Sequence, residues 1–417
     1  MAEKEKGCQA EMLCNNIVTS CGRKLYDEAN CIFHSKRHDK DVKLFRQELD
    51  ELFKDSSLEV YDFKGFVFPE GMLFPEKIDK QIVFRDVVFQ GIAVFIGKTF
   101  QEKAFFIDTT FHGMALFDGA SFQDEAYFRR VTFQENALFV YTTFKCIAYF
   151  DEITFEKKVG FDWSSFEDAL IVNEEHNNKI FSKKEVDFGY VRFLKPEKVA
   201  FRKVDLGKFR FLGTDLRKVE FVDVDWDREK GRNRIYDEVS PETTLPDYPL
   251  IAQVYKRLRA NYEENLNYAE AGDFHIGEME MRRKGEKNPF NKGIICLYKL
   301  LSNYGESYWH PLAWILLFLF LLFPIVFMCS GIEGITQSQN SYLINYDFDV
   351  NSISLNKEKV GDYLKSFVYS LSVFSLVREK QYRPIDNCGH FWMVLESILS
   401  PVLIAFFLLA LRRRFRR

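Results

Sequence analysis

The stretch Ala104-Phe105-Phe106-Ile107-Asp108-Thr109-Thr110-Phe111-His112-Gly113-Met114-Ala115-Leu116-Phe117 decides the fold. Phe106, Phe111 and Phe117 are separated by five and then six residues, and the same steps continue outward on both sides. One series runs Phe84, Phe95, Phe106, Phe117, Phe128, Phe139, Phe150, Phe161. The other runs Phe89, Phe100, Phe111, Phe122, Phe133, Phe144, Phe155, Phe166, so the period is eleven residues. Alanine stands two positions before most of the first series, as at Ala93, Ala115 and Ala137. Thr or Ser directly precedes most of the second, as at Thr99, Ser121 and Thr143. A pattern this regular marks stacked units, each too small to bury an apolar face alone.

An eleven-residue period also suits a right-handed coiled coil. On a helix, however, steps of five and six throw the two series onto nearly opposite sides, whereas a seam needs steps of three and four. Runs such as Val131-Thr132-Phe133 and Thr142-Thr143-Phe144 are also β-prone and poor helix formers. Steps near five suit a coil of four short faces with one large side chain pointing inward from each.

Further on, Phe201, Leu206, Phe211, Leu216 and Phe221 follow at strict steps of five, around Thr214-Asp215-Leu216-Arg217. Over Tyr61 to Trp226 these A-x-F/L-x-x units resemble the pentapeptide-repeat family. The resemblance implies a right-handed quadrilateral β-helix, with Leu or Phe at the centre of each face and a small residue two positions earlier. The expected fold class is a mainly β repeat solenoid plus an α-helical hairpin and two transmembrane helices. Corner residues of the Gly-x-Asn type are sparse. The period breaks over Ile171 to Glu185, which is expected to loop out, and the repeat Phe residues are expected to be core and nothing else.

The chain of 417 residues has room for two or three domains, and its net charge of −4 points to no nucleic-acid partner. From Phe84 to Phe166 there are eleven Asp or Glu against eight Lys or Arg, too near neutral to mimic a duplex. Of the eight Cys, four fall within the first 31 residues, which suggests a local site rather than a disulfide framework. Met1-Ala2-Glu3-Lys4-Glu5-Lys6 is charged and leads into no apolar run, so the N-terminal three-quarters are expected in the reducing cytosol.

Cys21-x9-Cys31-x2-His34 with one earlier Cys supplies three thiolates and an imidazole, sufficient for a closed tetrahedral structural zinc site. Cys14 is favoured over Cys8 as the fourth ligand because it closes a shorter loop; reduced thiols without metal are the competing reading. Metal binding would order a segment that has no core of its own. Cys31-Ile32-Phe33-His34-Ser35 also resembles the Cys-rich knuckle preceding the repeats in some pentapeptide-repeat proteins. Residues 1–38 are thus read as a zinc knuckle and 39–59 as a capping helix, with Val42, Leu44, Phe45, Leu49, Leu52 and Phe53 at helical spacing. The repeats occupy 60–226.

Residues 227–249, charged and carrying Pro241 and Pro246, read as a linker. Residues 250–300 read as a helical hairpin joined near Asn265-Leu266-Asn267 and a juxtamembrane segment, the hairpin being expected to couple the rod to the apolar C-terminal region. Glu278, Glu280, Arg282 and Arg283 are expected to form a solvated, salt-paired helix face.

Within 301–417, Pro311 to Ile332 carries no Asp, Glu, Lys or Arg and is long enough to cross ~30 Å of hydrocarbon. Phe391 to Leu411 is a second span, followed by Arg412-Arg413-Arg414-Phe415-Arg416-Arg417. That tail, and the basic residues between Arg282 and Lys299, place both termini on the cytoplasmic side of a multi-pass protein. Between the spans, residues 363–377 are mostly apolar, Ser-rich and too short to cross, as a re-entrant helix would be. This order resembles the pore domain of two-span potassium-channel-like proteins, with Ser366 to Ser375 on the pore helix and Glu396-Ser397-Ile398-Leu399 at the start of the second span. The resemblance implies a homo-oligomer of four chains. Ser375, Arg378, Glu379, Lys380 and Glu396 are the candidate pore residues. Leu376-Val377-Arg378-Glu379-Lys380 stands where the family places Thr-x-Gly-Tyr-Gly, so a ring of carbonyls cannot line the pore in the usual way. Ser400-Pro401 replaces the hinge glycine of the second span.

The reading is an integral membrane protein with a channel-like pore and a cytosolic repeat rod that senses or binds a protein partner. The alternative is a membrane-anchored scaffold without transport. No Ser/His/Asp set or phosphate-cradling glycine loop occurs, so an enzyme is not expected.

Overall fold

The computed structural model describes residues 11–14, 17–21, 23–174, 184–229, 231–239, 246–335, 341–345, 357–377 and 382–414. It comprises two compact units, Met1–Arg282 and Arg283–Arg417.

The first unit is built on a parallel β-solenoid of about 7 turns. Ala104 lies beside Ala126, Phe111 beside Phe133, Ala115 beside Ala137 and Ser121 beside Thr143, so a coil takes 22 residues and crosses four faces. Those faces are parallel sheets of eight, five, six and six strands. The two sequence series resolve into four columns of rings up the axis. Phe84, Phe106, Phe128 and Phe150 stack with centroids 4.8, 4.7 and 4.9 Å apart. Phe95, Phe117, Phe139 and Phe161 stack at 4.7, 4.7 and 4.8 Å. Rings of these two columns meet edge to face, as for Phe117 and Phe128 at 86°. Each such pair adds ~0.5–1.5 kcal/mol beyond the area it removes from water. Alanine precedes the rings because Ala104, Ala115, Ala126 and Ala137 are themselves fully buried beside them, where a larger side chain would collide with the column.

Two buried threonine hydroxyls are satisfied within the coil: Thr109 Oγ1 donates to the Phe84 carbonyl and Thr142 Oγ1 to that of Phe117, both at 2.8 Å. Most of the left-handed corners are held by residues other than glycine. Asp86, Asp108, Arg130 and Glu152 hold one corner column with φ of 50–54°, and Gly97, Gly119, Tyr141 and Trp163 hold another. Left-handed backbone costs a non-glycine residue roughly 1–2 kcal/mol. The bidentate Arg130–Asp108 pair, at 2.6 and 2.8 Å, offsets part of that between adjacent coils. The expected loop-out at Ile171 starts later: Leu170–Asn173 remains a strand, paired with Val199–Arg202. Residues 175–183 of that segment lie outside the described residues.

Both ends of the solenoid are covered. Helix α1 (Val42–Lys54), with the Asp41 side chain accepting from the Lys43 and Leu44 amides, buries Phe45 and Leu49. Phe53 packs against Tyr61 at 4.9 Å and Phe63 at 5.8 Å, whereas Val42 and Leu44 point to solvent. At the other end the segment read as a linker is structured in part. Asp227–Glu229 pairs antiparallel with Arg232–Arg234, and the short helix α2 (Tyr236–Val239) buries Asp237, whose carboxylate accepts the Phe211 amide at 3.0 Å. Helices α3 (Tyr248–Glu264) and α4 (Tyr268–Gly285) then close the last coil. Asn261 Nδ2 donates to the Leu216 and Val219 carbonyls, both at 2.8 Å, and Trp226 Nε1 to Tyr262 Oη at 2.9 Å. Glu278 and Glu280 are buried rather than solvated, because α4 lies along α3: Arg259 reaches Glu278 at 2.8 Å and Arg282 at 2.5 Å.

The second unit starts with α5 (Pro289–Ser302). Helices α6 (Trp309–Leu317) and α7 (Phe323–Ser330) are joined through a π-turn, Phe318–Leu322, into one 22-residue helix. Pro324 has no N–H to offer the Phe320 carbonyl four residues back, and the widened turn accommodates this. That carbonyl instead accepts the Tyr363 hydroxyl from α8 (Lys357–Phe374). The long α9 (Asn387–Arg414) contains Pro401. Trp309–Ser330 and Asn387–Arg413 are each long and apolar enough to cross a membrane. Between them is a small antiparallel sheet that no periodicity announces: Ile332–Ile335 pairs with Ser341–Ile344 and with Tyr382–Pro384.

Candidate metal centre and the buried Glu396 cluster

Cys31, Ile32, Phe33 and His34 form a tight turn, with the Ser35 and His34 amides donating to the Cys31 carbonyl at 3.0 and 3.1 Å. Phe33 anchors the turn by stacking on Phe66 at 4.5 Å and meeting Phe45 edge-on at 5.0 Å. This brings Cys21, Cys31 and His34 together, with all three ligand atoms within 4.8 Å of one another. Cys21 Sγ and Cys31 Sγ are 3.8 Å apart, and His34 Nδ1 is 3.2 Å from Cys31 Sγ. Two sulfurs at ~2.3 Å from a tetrahedral cation stand ~3.8 Å apart, so this edge already has the right length.

The imidazole is oriented from behind. His34 Nε2 lies 3.1 Å from the Lys64 carbonyl, which only accepts, so Nε2 carries the proton and Nδ1 turns its lone pair toward the sulfurs. Gly65 lets that turn approach: its φ is +71°, and a Cβ there would stand 3.3 Å from His34 Cδ2. Hydrogen bonding to Cys21, helped by burial, pushes the Cys31 thiol up to about 11. A cation would therefore have to displace thiol protons on binding. The donor set of soft sulfur and imidazole nitrogen fits a zinc-type ion. Cys14 lies on the strand Glu11–Cys14 of a hairpin with Ile17–Ser20, and Cys8 lies outside the described residues, so three of the expected ligands are assembled and the choice of a fourth stays between these two.

The candidate pore residues separate. Arg378, Glu379 and Lys380 lie outside the described residues. Ser375 is exposed immediately beyond the end of α8 and donates to the Leu371 carbonyl at 2.7 Å. Glu396 is fully buried on α9, where Oε1 accepts the Ser370 hydroxyl of α8 at 2.6 Å. Ser400, one turn on, donates to the Glu396 carbonyl at 2.7 Å. Glu396 Oε2, Ser366 Oγ and Tyr369 Oη are buried with no hydrogen-bond partner. Sequence reasoning found Glu396 but not Ser370 as its partner; the Ser366/Ser370 spacing of four, which puts both on one face of α8, was the available signal.

Known proteins resemble this chain over limited stretches. An uncharacterized protein of Methanocaldococcus jannaschii is 30% identical over 151 residues, which are 31% of this chain and 33% of the archaeal one. The chain thus spans about a third of the length of the curated relative it matches. No solved structure matches. The family model described as pentapeptide repeats (9 copies) matches residues 95–143, so the central coils of the solenoid carry the sequence pattern of pentapeptide repeats.

Proposed function

We propose that this chain is a membrane-anchored interaction protein, in which the solenoid offers its walls to a protein partner and the two long apolar helices hold it in a bilayer with both termini cytoplasmic. The observation that carries this reading is the inverted polarity of the C-terminal unit. Leu316, Phe320, Leu321, Phe391, Ile398, Leu408 and Leu409 are exposed, while Glu396, Ser366, Ser370 and Ser400 are buried. Such a surface is stable in lipid and costly in water. In the solenoid the core side chains are committed to packing and both ends are capped, so recognition is left to the side walls. The test is extraction: the full chain should stay with membranes at alkaline pH and enter solution only with detergent. Recovery in plain buffer would end the reading.

A pore built from several copies is the second reading. The observation in its favour is α8, a helix set between the two long ones with Ser370 bonded to Glu396. It requires a homo-oligomer, four chains by resemblance. Ion flux through reconstituted vesicles, compared with Glu396→Gln and Arg378→Ala, separates the two readings; a monomer in detergent removes the pore. The cysteine site is read as structural zinc. One metal ion per purified chain, lost in Cys31→Ser and His34→Ala, is the expected assay.

A further inference from the structure

Helix α5 has three faces with three different chemistries. At about 100° per residue, Phe290, Ile294 and Leu297 fall within one arc of ~60°, and Lys292 and Lys299 fall nearly opposite it. Phe290 is 74% exposed, Ile294 53% and Leu297 54%, an unusual amount of apolar surface for a helix of 14 residues. A third side, between the other two, is packed. Ser302 is buried and the Tyr298 ring lies tilted against Phe406 of α9 at 5.8 Å; at the C-terminal end of the helix Trp314 of α6 donates to the Leu300 carbonyl at 3.0 Å. The helix is therefore held against both long helices while its apolar face stays open.

The chain reverses immediately afterwards through Asn303, Tyr304 and Gly305, all left-handed at φ 46°, 61° and 79°. The Gly305 amide is tied to the Ser302 hydroxyl at 3.0 Å. Glu306, next in line, accepts Arg413 of α9 at 2.7 Å, which places the turn beside the basic end of the second long helix.

We propose that α5 lies in the plane of a lipid surface, with Phe290, Ile294 and Leu297 sunk to the acyl boundary and Lys292 and Lys299 turned to the aqueous side among the headgroups. The inference rests on the membrane reading of the two long helices. Two things select lipid over a second copy as the occupant. The lysines lie on the side opposite the apolar face, as an interfacial helix requires. The packed side also fixes α5 at the level of Arg412 and Arg413, where basic residues meet anionic headgroups.

The test places the photoreactive residue benzoylphenylalanine singly at Phe290, Leu297, Lys292 or Leu321 of the full chain, in vesicles of phosphatidylcholine and phosphatidylglycerol. Intact-mass spectrometry after irradiation reads the adducts. Lipid adducts at Phe290 and Leu297 should match those at Leu321, which is exposed on the first long helix, and exceed those at Lys292 by about ten-fold. Lipid at Leu321 with none above the Lys292 level at Phe290 and Leu297 would overturn the inference while leaving the membrane reading intact. Cross-links from Phe290 to a second copy would also overturn it. No lipid at Leu321 would remove the membrane reading and the inference together.

Discussion

The solenoid and the C-terminal unit invert each other. In the solenoid, aromatic rings fill the axis and ion pairs such as Arg130–Asp108 and Lys103–Glu125 lie on the wall. In the C-terminal unit, Leu and Phe lie outside and a carboxylate with three serines lies inside. The same hydrophobic effect gives both arrangements once the surroundings of the second are apolar. The difference shows where each unit keeps its stability: in ring packing for the first, and in a few buried hydrogen bonds and helix contacts for the second.

The sharpest way to break that contrast is Phe128→Ala, which removes a ring stacked between Phe106 and Phe150 and leaves a cavity in the column. A loss of ~3–5 kcal/mol is expected in denaturant unfolding of the solenoid. Leu321→Ala, on the exposed side of the first long helix, should change stability in detergent by under about 0.5 kcal/mol. Equal losses at the two sites would contradict the inversion.

Next in size is a pH effect inside the cap. Burial raises the Asp237 carboxyl to about 6. The folded state therefore binds a proton there more tightly than the unfolded chain. The resulting stabilisation is fully present below pH ~4 and declines as pH rises through ~6, by up to about 3 kcal/mol. Asp237→Asn should flatten this part of the stability profile, and an unchanged profile would show that the carboxylate stays ionised when folded.

Ser370→Ala tests the interior of the second unit. It removes the Ser370 donor to Glu396 Oε1 and should cost ~1–3 kcal/mol when unfolding is followed in mixed detergent. Ser375→Ala, at an exposed position, serves as the matched change with almost no cost. The smallest effect is at a corner. Arg130→Gly relieves a left-handed backbone, worth roughly 1–2 kcal/mol, and gives up a half-exposed ion pair together with the lower chain entropy of a non-glycine residue, each worth about 1 kcal/mol or less, so the opposing terms should leave a net change within about 1 kcal/mol.

Much of the fold is legible in the chain alone. The Phe series fall into four columns because every face of a coil repeats the same geometry, so spacing alone carries the register. The cysteine and histidine spacing likewise points to a site that the turn at Cys31–His34 assembles in part. Residues 227–249 read as a linker because Asn233, Ile235 and Asp237 are buried by partners distant in sequence, which no local pattern records. Glu278 looks like a surface charge for the same reason: its partner Arg259 is on the neighbouring helix.

Sequence by itself determined the coil of 22 residues, the ring at the centre of each face and the two long apolar helices, since these follow from periodicity and transfer free energy. Tertiary structure alone decided which sulfur faces which nitrogen, how arginine and tryptophan come to occupy left-handed corners, and that Glu396 turns inward to Ser370. Those outcomes depend on contacts between segments far apart in the chain, and the energy of such a contact is not written in either segment alone.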